Sequence, residues 1–364
     1  MILSTLPDMK VIAWPAFKTR YANPYTWLLY SNMPETVSVS EFSLKLLLQE
    51  KFDVFHLHWP VETLVRHPNI WMARVRVLTF WLLLKLSQWR GTKIIWTIHD
   101  EKPHVVTHPE LADWFTRQLV AATDGYINLC EAGHKAVAKS LPGLVDTPGV
   151  VVPHGHYRGC YGNDLSEDEA RSQLNLSPQT KVLLYLGYIS PYKNVPYLIR
   201  IFRELTQQGQ SVTLLVAGKP DNGELEQTVR EAAGTEQTVQ LHLRFIQDDE
   251  LQVFFKAADL VVLPFTEILN SGSLLLSLSF NRPVLAPYLG AVVDWQRQIG
   301  TDWVRTYSGA LTADVLREAM QVQTKSAEAP LDFLGWEAIA QQTLAVYESL
   351  QNKQLPAVKA EANL

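Results

Sequence analysis

The chain is poor in cysteine and lacks the spacings typical of zinc sites. Among its 364 residues there are two cysteines, Cys130 and Cys160, and no C-x-x-C or H-E-x-x-H string. So few cysteines exclude a disulfide framework and favour a reducing compartment. Zinc sites need convergent ligands at recognisable spacings. We therefore predict no metal site and no cofactor.

Long hydrophobic runs are also missing. The most apolar segment, Val77–Leu86, is too short to cross a bilayer, contains Lys85, and is flanked by Arg74, Arg76 and Arg90. The N-terminus lacks the basic stretch and apolar run of a signal peptide. We expect a cytoplasmic protein, and contact with the inner face of the membrane stays an open alternative.

Neither sign of charge is in large excess, and no dinucleotide-binding motif follows an early strand. The formal net charge is -5, which gives no support for nucleic-acid binding. Absence of a G-x-G-x-x-G string argues against a dinucleotide-dependent oxidoreductase. Hydrophobic residues make up 47% of the chain, which excludes general disorder and indicates a globular protein.

Strand and helix signals alternate through the first half of the chain. This rhythm is typical of a parallel sheet covered by helices. The predicted strands are Lys10–Trp14, Val54–His58, Lys93–His99, Gly125–Leu129 and Val150–Val152. The predicted helices are Tyr25–Asn32, Val39–Glu50, Trp71–Trp89, Glu110–Ala122 and Ala132–Ser140.

The alternation of strand and helix signals restarts after a polar, acidic segment. Its predicted strands are Lys181–Leu186, Val212–Ala217, Val239–Arg244, Leu260–Leu263 and Pro283–Ala286. The helices are Val195–Gln207, Glu224–Ala233, Asp248–Ala257, Ser273–Phe280 and a last one near Phe333–Asn352. We predict an α/β protein with two Rossmann-like domains. The predicted divisions are 1–160 for the first domain, 161–178 for a linker, 179–330 for the second domain, and 331–364 for a helix that returns toward the first domain.

Glycine and lysine follow the first strand of the second half. The strand V-L-L-Y-L precedes G-Y-I-S-P-Y-K-N, in which Gly187 allows a tight turn and Lys193 is a cation within reach of a ligand. By itself this pair is a weak signal. Gly187 and Lys193 form the first part of the predicted donor-binding set. Tyr188, next to Gly187, and Gly218, after the following strand, belong to the same part.

A second loop supplies the other part of that set. It carries Glu267 and Asn270 and leads through Ser271, Gly272 and Ser273 into an apolar helix. Free N–H groups and the helix dipole at such a start can hold a diphosphate without metal. The structural alternative is that Ser271 only caps the helix, and the two roles are compatible.

These two strings resemble the donor half of GT-B glycosyltransferases, whose two Rossmann-like domains face a cleft. Two positions depart from that family's pattern. Tyr188 stands where an arginine is common, and Leu275 stands where the second glutamate of an E-x7-E pair is expected in many retaining members. The second departure argues against a standard retaining enzyme.

Three predicted strands of the first half end in histidine or are followed closely by one. H-L-H-W-P carries His58 and Trp59, T-I-H-D carries His99 and Asp100, and H-G-H-Y-R begins with His154. A single histidine is more often structural than catalytic. Strand ends of one parallel sheet converge on the same edge, so three of them together predict a site there.

The same strings, with A-N-P-Y at residues 22–25, resemble the β-1,4-mannosyltransferases of xanthan-type exopolysaccharide assembly. That resemblance implies inverting transfer of mannose from GDP-mannose, a nucleotide-sugar co-substrate, to a polyprenyl-diphosphate-linked glycan. It places Asn23, Tyr25 and Trp59 on the acceptor side, and His154 with the donor-binding residues.

An inverting displacement needs a base for the acceptor hydroxyl and positive groups for the leaving diphosphate. His99 and His58 are the first candidates for the base. Asp100 and Glu101 rank lower, because the family pattern has Asn or an apolar residue at these positions. In related GT-B enzymes a histidine placed like His99 orients the donor sugar, so both roles stay open for it.

The segment 71–90 combines aromatic residues with cations. Trp71, Phe80, Trp81 and Trp89 alternate with arginine and lysine, which suits a helix in a membrane interface. The alternative is a buried helix with a charged rim.

Two other functions remain open from the sequence. The scaffold could transfer another nucleotide sugar, such as glucose or glucuronate. It could also be a nucleotide-sugar-binding protein without catalysis, for which Tyr188 and the missing glutamate are the motivation. Lys193 and the Ser-Gly-Ser start of the helix argue against that last alternative.

Overall fold

The computed structural model describes residues 9–100, 107–267 and 269–352, and the chain divides into two compact units. The first unit comprises residues 1–155 and 334–364, and the second comprises residues 156–333. No helix in the described ranges is long and apolar enough to span a membrane.

The first unit is built on a six-stranded parallel sheet in the order β2-β1-β3-β4-β5-β6. Its strands are β1 Met9–Trp14, β2 Val37–Glu41, β3 Val54–Leu57, β4 Lys93–Ile98, β5 Gly125–Asn128 and β6 Gly149–Val151. Its helices up to β6 are α1 Tyr25–Ser31, α2 Leu44–Gln49, α3 Pro60–Val65, α4 Ile70–Trp89, α5 Pro109–Ala122 and α6 Glu131–Ser140. The central strands are buried on both faces, as in parallel sheets covered by helices.

The second unit has its own six-stranded parallel sheet, in the order β12-β11-β10-β7-β8-β9. Its strands are β7 Lys181–Leu186, β8 Val212–Ala217, β9 Val239–His242, β10 Leu260–Val262, β11 Val284–Pro287 and β12 Val304–Tyr307. Its helices are α7 Glu167–Gln173, α8 Val195–Gln207, α9 Gly223–Ala233, α10 Leu251–Ala257, α11 Gly272–Ser279, α12 Ala291–Ile299 and α13 Ala313–Gln321. A last helix, α14 Trp336–Gln351, belongs to the first unit.

Both sheets have a point where the strand order reverses. In the first sheet β1 lies between β2 and β3, and in the second sheet β7 lies between β8 and β10. Ligands of open α/β sheets bind outside the carboxyl ends of the strands at such points. The loops after β1, β3, β7 and β10 are therefore the positions to search for a site.

The predicted helix Val39–Glu50 is wrong at its start. Residues 37–41, V-S-V-S-E, form β2, which pairs in parallel with β1. The helix begins only after Ser43, whose hydroxyl accepts a hydrogen bond from the Leu46 N–H. Alternation of apolar and polar residues in this string is the strand signal that the helical assignment overlooked. Strand β12 and helices α12 and α13 were likewise not among the predicted elements.

Residues 161–178, predicted as a linker, lie within the second unit. Arg171 of α7 is buried and donates to Asp259 at 3.0 Å and to the Pro178 carbonyl at 2.7 Å. The same Asp259 carboxylate accepts from the Val182 N–H at the start of β7. Helix α7 is thus tied to the sheet by a buried cation and its acceptors.

The C-terminal helix returns to the first unit, as predicted. The Gln351 side chain donates to the Asp53 carbonyl at 2.7 Å, beside the start of β3. At the other end of α14, the Trp336 ring covers Gly155 so closely that a Cβ there would lie 2.4 Å from it.

Helix α4 buries one face and exposes the other. Phe80 packs in the core, and Trp81 is half-buried beside Trp114 with 6.3 Å between ring centroids. Phe80, one of the aromatic residues counted for a membrane-interface helix, therefore lies on the buried side of α4, as the alternative of a buried helix has it. Trp71 and Trp89 are exposed.

Candidate active site

In the second unit, the predicted donor-binding residues meet at the carboxyl end of β7. Gly187 follows β7, and Lys193 ends the short 3-10 turn Pro191–Lys193 in the same loop. A Cβ placed on Gly187 would lie 3.6 Å from the Ser273 hydroxyl and 3.7 Å from the Lys193 ammonium. The loops after β7 and β10, on the two sides of the switch point, thus bring a cation and a hydroxyl to one glycine.

Gly218 supports that loop from the neighbouring strand. It follows β8 with φ of +153°, and a Cβ there would lie 1.9 Å from the Gly187 carbonyl oxygen. Only glycine permits this close approach of two backbones. The structure thus gives Gly218 a packing role beneath Gly187.

Helix α11 starts at the same edge. The Ser271 hydroxyl accepts a hydrogen bond from the Leu274 N–H at 3.1 Å, so Ser271 is the N-cap. The hydroxyl of Tyr157 lies over Gly272, 3.1 Å from where its Cβ would be. N–H groups in a first helical turn have no acceptor within the helix, and the dipole adds partial positive charge. The N-cap role of Ser271 is therefore compatible with the predicted anion site at this helix start.

Lys193 sits in a partly apolar setting. Its ammonium lies 5.6 Å from the Phe265 ring centroid and 5.9 Å from that of Tyr192. Burial lowers the pKa of Lys193 to about 8, and the nearby Asp221 carboxylate opposes the shift. Asp221, in the loop after β8, was not among the predicted site residues, and no motif marked it.

The remaining predicted donor residues lie farther out in the same loops. Glu267 is exposed and Asn270 is half-buried. The Tyr188 side chain is 49% exposed, while its carbonyl accepts a hydrogen bond from the Tyr185 hydroxyl. These three residues stay predictions as donor contacts.

In the first unit, four buried histidines lie at the carboxyl edge of the sheet. His56 and His58 come from the end of β3, His99 follows β4, and His154 follows β6. His58, His99 and His154 pack around Tyr25, the first residue of α1. The Tyr25 ring centroid is 4.9 Å from that of His99 and 4.8 Å from that of His154. The convergence expected from the strand ends is what the structure shows.

A chain of hydrogen bonds links three of these histidines, His99, His58 and His56. His99 Nε2 lies 3.0 Å from His58 Nδ1, and His58 Nε2 lies 2.6 Å from the Tyr30 hydroxyl. Tyr30 also contacts His56 Nδ1 at 2.9 Å. We call this chain the histidine relay.

The inner end of the histidine relay is fixed by two more hydroxyls. His56 Nδ1 lies 2.7 Å from the Tyr347 hydroxyl of α14, and His56 Nε2 lies 2.7 Å from the Thr97 hydroxyl of β4. Sequence reasoning missed Tyr30, Thr97 and Tyr347. No motif marks these residues, because each lies within a helix or strand and only folding brings them to His56.

Burial keeps the histidines neutral. It lowers the pKa of His56 to about 3 and that of His154 to about 4. Burial also holds the pKa of His58 and of His99 well below the usual value, and neighbouring histidines add to the shift. Neutral imidazoles each have one donor and one acceptor nitrogen, as the histidine relay requires.

The outer end of the histidine relay borders a pocket. Trp59 stacks on His99 with 4.1 Å between ring centroids. His58, Trp59, His99 and Asp100 line this pocket together with Trp96. The two predicted base histidines, Asp100 and one predicted acceptor-side residue therefore share one cavity of the first unit. Glu101 lies outside the described residues.

The other predicted residues of the first unit have clear local partners. Asn23 is exposed, and its side-chain oxygen accepts from the Tyr25 N–H at 3.1 Å at the start of α1. His154 is buried between Tyr25 and Trp336, and its Nδ1 lies 2.7 Å from the Gly155 carbonyl. Within the described ranges no group of three or more His, Cys, Asp or Glu residues could hold a metal ion.

Comparison with known proteins agrees with this geometry. A family model described as "Glycosyl transferases group 1" matches residues 166–269. The chain is 32% identical over 298 residues to a GDP-mannose:glycolipid 4-beta-D-mannosyltransferase of Xanthomonas campestris pv. campestris, covering 81% of this chain and 78% of that protein. A lipopolysaccharide 1,2-N-acetylglucosaminetransferase of Salmonella typhimurium is 31% identical over 120 residues, 31% of each chain.

Solved structures share the fold at low identity. Sucrose-phosphate synthase from Thermosynechococcus elongatus matches with a TM-score of 0.63 at 15% identity, over 95% of this chain and all of that one (100%). HepE of Anabaena, in complex with UDP-glucose, matches with a TM-score of 0.58 at 14% identity, over 95% of this chain and 99% of that one. The GT-B fold predicted from the sequence is confirmed. The chain belongs to the group 1 glycosyltransferases of the GT-B fold and is a hexosyltransferase.

Proposed function

We propose that this enzyme transfers mannose from GDP-mannose to a glycan carried on a polyprenyl diphosphate lipid, with inversion at the anomeric carbon. The observation that supports the leaving-group chemistry best is the convergence of Lys193 and Ser273 on Gly187 at the switch point of the second sheet. The choice of donor and acceptor follows the relative at 32% identity, whose name specifies GDP-mannose and a glycolipid.

Inversion follows from donor and product together. GDP-mannose is an α-linked donor, and the name of that relative specifies a β-linked product. A single in-line displacement by the acceptor hydroxyl has this stereochemical outcome. The oxygen of that hydroxyl bonds to C1 while the bond from C1 to the diphosphate oxygen breaks, and GDP leaves.

The departing diphosphate needs positive charge. Lys193 supplies an ammonium, and the N–H groups at the start of α11 supply oriented dipoles. Both stabilise the additional negative charge that develops on the leaving diphosphate oxygen as its bond to C1 breaks. No metal ion enters this proposal.

His99 is the proposed base. The histidine relay is self-consistent when His99 donates from Nε2 to His58 Nδ1 and His58 donates from Nε2 to Tyr30. In this tautomer Nδ1 of His99 is unprotonated and can accept the acceptor proton. The imidazolium that forms is then stabilised by its hydrogen bond to His58.

The donor is tested by a nucleotide-release assay with GDP-mannose, UDP-glucose and UDP-glucuronate. A polyprenyl-diphosphate-linked oligosaccharide is the acceptor, and NMR of the product assigns the anomeric configuration. Turnover with GDP-mannose and a β-linked product is expected. Turnover only with a UDP sugar, or an α-linked product, contradicts the proposal, and GDP binding without turnover favours a non-catalytic binding protein.

The base is tested in the same assay with His99→Ala. Loss of a general base is expected to lower kcat by about 10²- to 10⁴-fold while the Kd for GDP measured by calorimetry stays the same. His67→Ala, at a half-buried histidine of the first unit outside the histidine relay, is the control. A kcat that survives His99→Ala assigns the base elsewhere.

A further inference from the structure

The solvent-facing side of α4 carries a continuous apolar stripe. Trp71, Val75, Leu78, Leu82 and Trp89 are all exposed, from 47% at Leu78 to 83% at Trp89. With 3.6 residues per turn, these five positions fall within an arc of roughly 60°. Scattered exposed apolar residues are ordinary, but a contiguous stripe indicates an interaction surface.

Packing within the first unit does not account for this stripe. The opposite face of α4 supplies Val77, Phe80 and Leu84 to the core. Helix α4 is therefore apolar on both sides, although the described part of the first unit covers only one of them. A globular helix that needed only its core face would carry polar residues outside.

A second helix extends the stripe. Leu44 and Leu48 of α2 are exposed, with Lys45 between them in sequence. The Arg90 guanidinium, at the end of α4, donates to the Leu47 carbonyl at 2.7 Å and to that of Leu48 at 3.1 Å. The C-terminal ends of α2 and α4 are thus joined, and we call the exposed residues of both helices the α2–α4 face.

Cations border the α2–α4 face, and α4 contains no acidic residue. Arg74 and Lys85 are exposed and lie on one flank of the stripe, with the Arg74 guanidinium 5.0 Å from the Trp71 ring centroid. Tryptophan at both ends of a helix, with cations beside an apolar surface, suits the boundary between lipid headgroups and acyl chains.

We propose that the α2–α4 face binds the surface of an anionic lipid bilayer, with α4 lying in the interface plane. Anionic headgroups complement Arg74, Lys85 and Lys45. A second copy of the chain is the poorer occupant, because a two-fold interface would bring the cations of both copies to one surface, and α4 offers no acidic residue to pair with them. This attachment is independent of which sugar the enzyme transfers, and it would bring the first unit to a lipid-linked acceptor.

Co-sedimentation with vesicles tests the attachment. The full chain is mixed with vesicles of phosphatidylcholine alone or with added phosphatidylglycerol, at low and high salt. Binding to the anionic vesicles that weakens with salt is expected. Protein that stays in the supernatant with both vesicle types overturns the proposal.

Two sets of variants assign the binding to this face. The triple variant Val75→Gln, Leu78→Gln, Leu82→Gln is expected to weaken binding at least about tenfold, because it removes the apolar contact. Arg74→Gln with Lys85→Gln is expected to weaken binding to anionic vesicles by about fivefold for each cation. The matched control, Phe245→Gln with Val322→Gln, changes exposed apolar residues of the second unit and should bind as the unmodified chain does. Unchanged binding of the triple variant overturns the proposal.

Two further measurements separate the remaining explanations. If sedimentation velocity shows a dimer that the triple variant abolishes, and no vesicle binding occurs, a second copy covers the face and the proposal fails. Transfer to a water-soluble acceptor analogue should be the same for the triple variant and the unmodified chain. That assay reports on the proposed reaction alone, so failure of the reaction and failure of the attachment are distinguishable.

Discussion

Lys193 is an amine whose buried surroundings disfavour its charged form. Burial lowers its pKa to about 8 in the unliganded protein. A bound diphosphate favours the protonated form, so affinity is full below that pKa and falls as pH rises through it. Each unit of pH above about 8 is expected to weaken GDP binding up to about tenfold.

Calorimetric titration with GDP between about pH 7 and about pH 9.5 measures that slope. Lys193→Met should bind GDP weakly and with little dependence on pH. Lys181→Met is the control, because Lys181 is exposed and pairs with Asp259 at 2.9 Å. A flat profile for the unmodified chain would show that this amine does not contact the diphosphate.

Gly218 is the residue at which backbone packing constrains the donor loop most. Alanine there would place its Cβ 1.9 Å from the Gly187 carbonyl oxygen, at a φ of +153°. We expect Gly218→Ala to cost about 2 kcal/mol or more of stability, and to weaken GDP binding by displacing Gly187. Thermal unfolding with and without GDP measures both effects.

Gly223→Ala is the matched control for this substitution. Gly223 starts α9 one loop away, and nothing lies within 4 Å of its Cβ position. It should leave both the melting temperature and the GDP-dependent shift nearly unchanged. Equal behaviour of the two variants would contradict a packing role for Gly218.

At the scale of elements, α14 contributes to the histidine relay through Tyr347. Its hydroxyl lies 2.7 Å from His56 Nδ1, and the ring is fully buried. Tyr347→Phe keeps the ring and removes the hydroxyl that contacts His56 and Tyr30. We expect kcat to fall about 5- to 10-fold and its pH profile to shift, with KM for the donor unchanged.

Thr343→Val separates this positioning role from simple packing of α14. Thr343 is buried on the same helix, and its hydroxyl bonds only within that helix among the contacts described, to the Ile339 carbonyl. The variant loses a hydroxyl without touching the relay, so the pH profile of kcat should stay in place. If Tyr347→Phe leaves the pH profile of kcat unchanged, Tyr347 has only a structural role.

At the scale of the whole molecule, the two units should respond differently to acid. The first unit buries four neutral histidines with lowered pKa values, including His56 at about 3 and His154 at about 4. In the second unit, His156 and His242 are half-buried. Below a pH of about 6.5, these histidines bind protons in the unfolded chain but stay neutral in the folded first unit. The stability of the first unit is therefore full above the unfolded pKa of about 6.5 and falls as pH decreases below it.

Each fully buried histidine is expected to cost the first unit about 1.4 kcal/mol per pH unit between about 6.5 and about 4. Scanning calorimetry at about pH 7.5 and about pH 5.5 should therefore show two unfolding transitions. The melting temperature of the first unit should fall more between these pH values than that of the second unit. Added GDP should raise the transition that acid affects less, because GDP binds the second unit in our proposal. Equal acid shifts of both transitions would contradict this expectation.

The sequence by itself determined the fold class and which motifs follow β7 and β10 of the second unit. Apolar runs such as V-L-L-Y-L and V-T-L-L-V-A are buried parallel strands. Gly187 and Lys193 lie in the loop after β7, and Ser271–Ser273 lie at the helix start that follows β10, at a switch point of the sheet. Local patterns suffice here, because period, turn chemistry and capping act over a few residues. The alternation V-S-V-S-E was equally local and was missed because a helical pattern follows it directly.

Only the tertiary structure decided which side chains complete the histidine relay and which face of α4 is exposed. Tyr347 is 291 positions from His56 in the chain, and that hydrogen bond carries no local signature. In α4, apolar residues occur on all sides, so periodicity could not separate Phe80 in the core from Leu82 in solvent. The Tyr347–His56 hydrogen bond and the buried face of α4 both depend on how a helix packs on the sheet. The energy of that packing comes from contacts between residues distant in sequence.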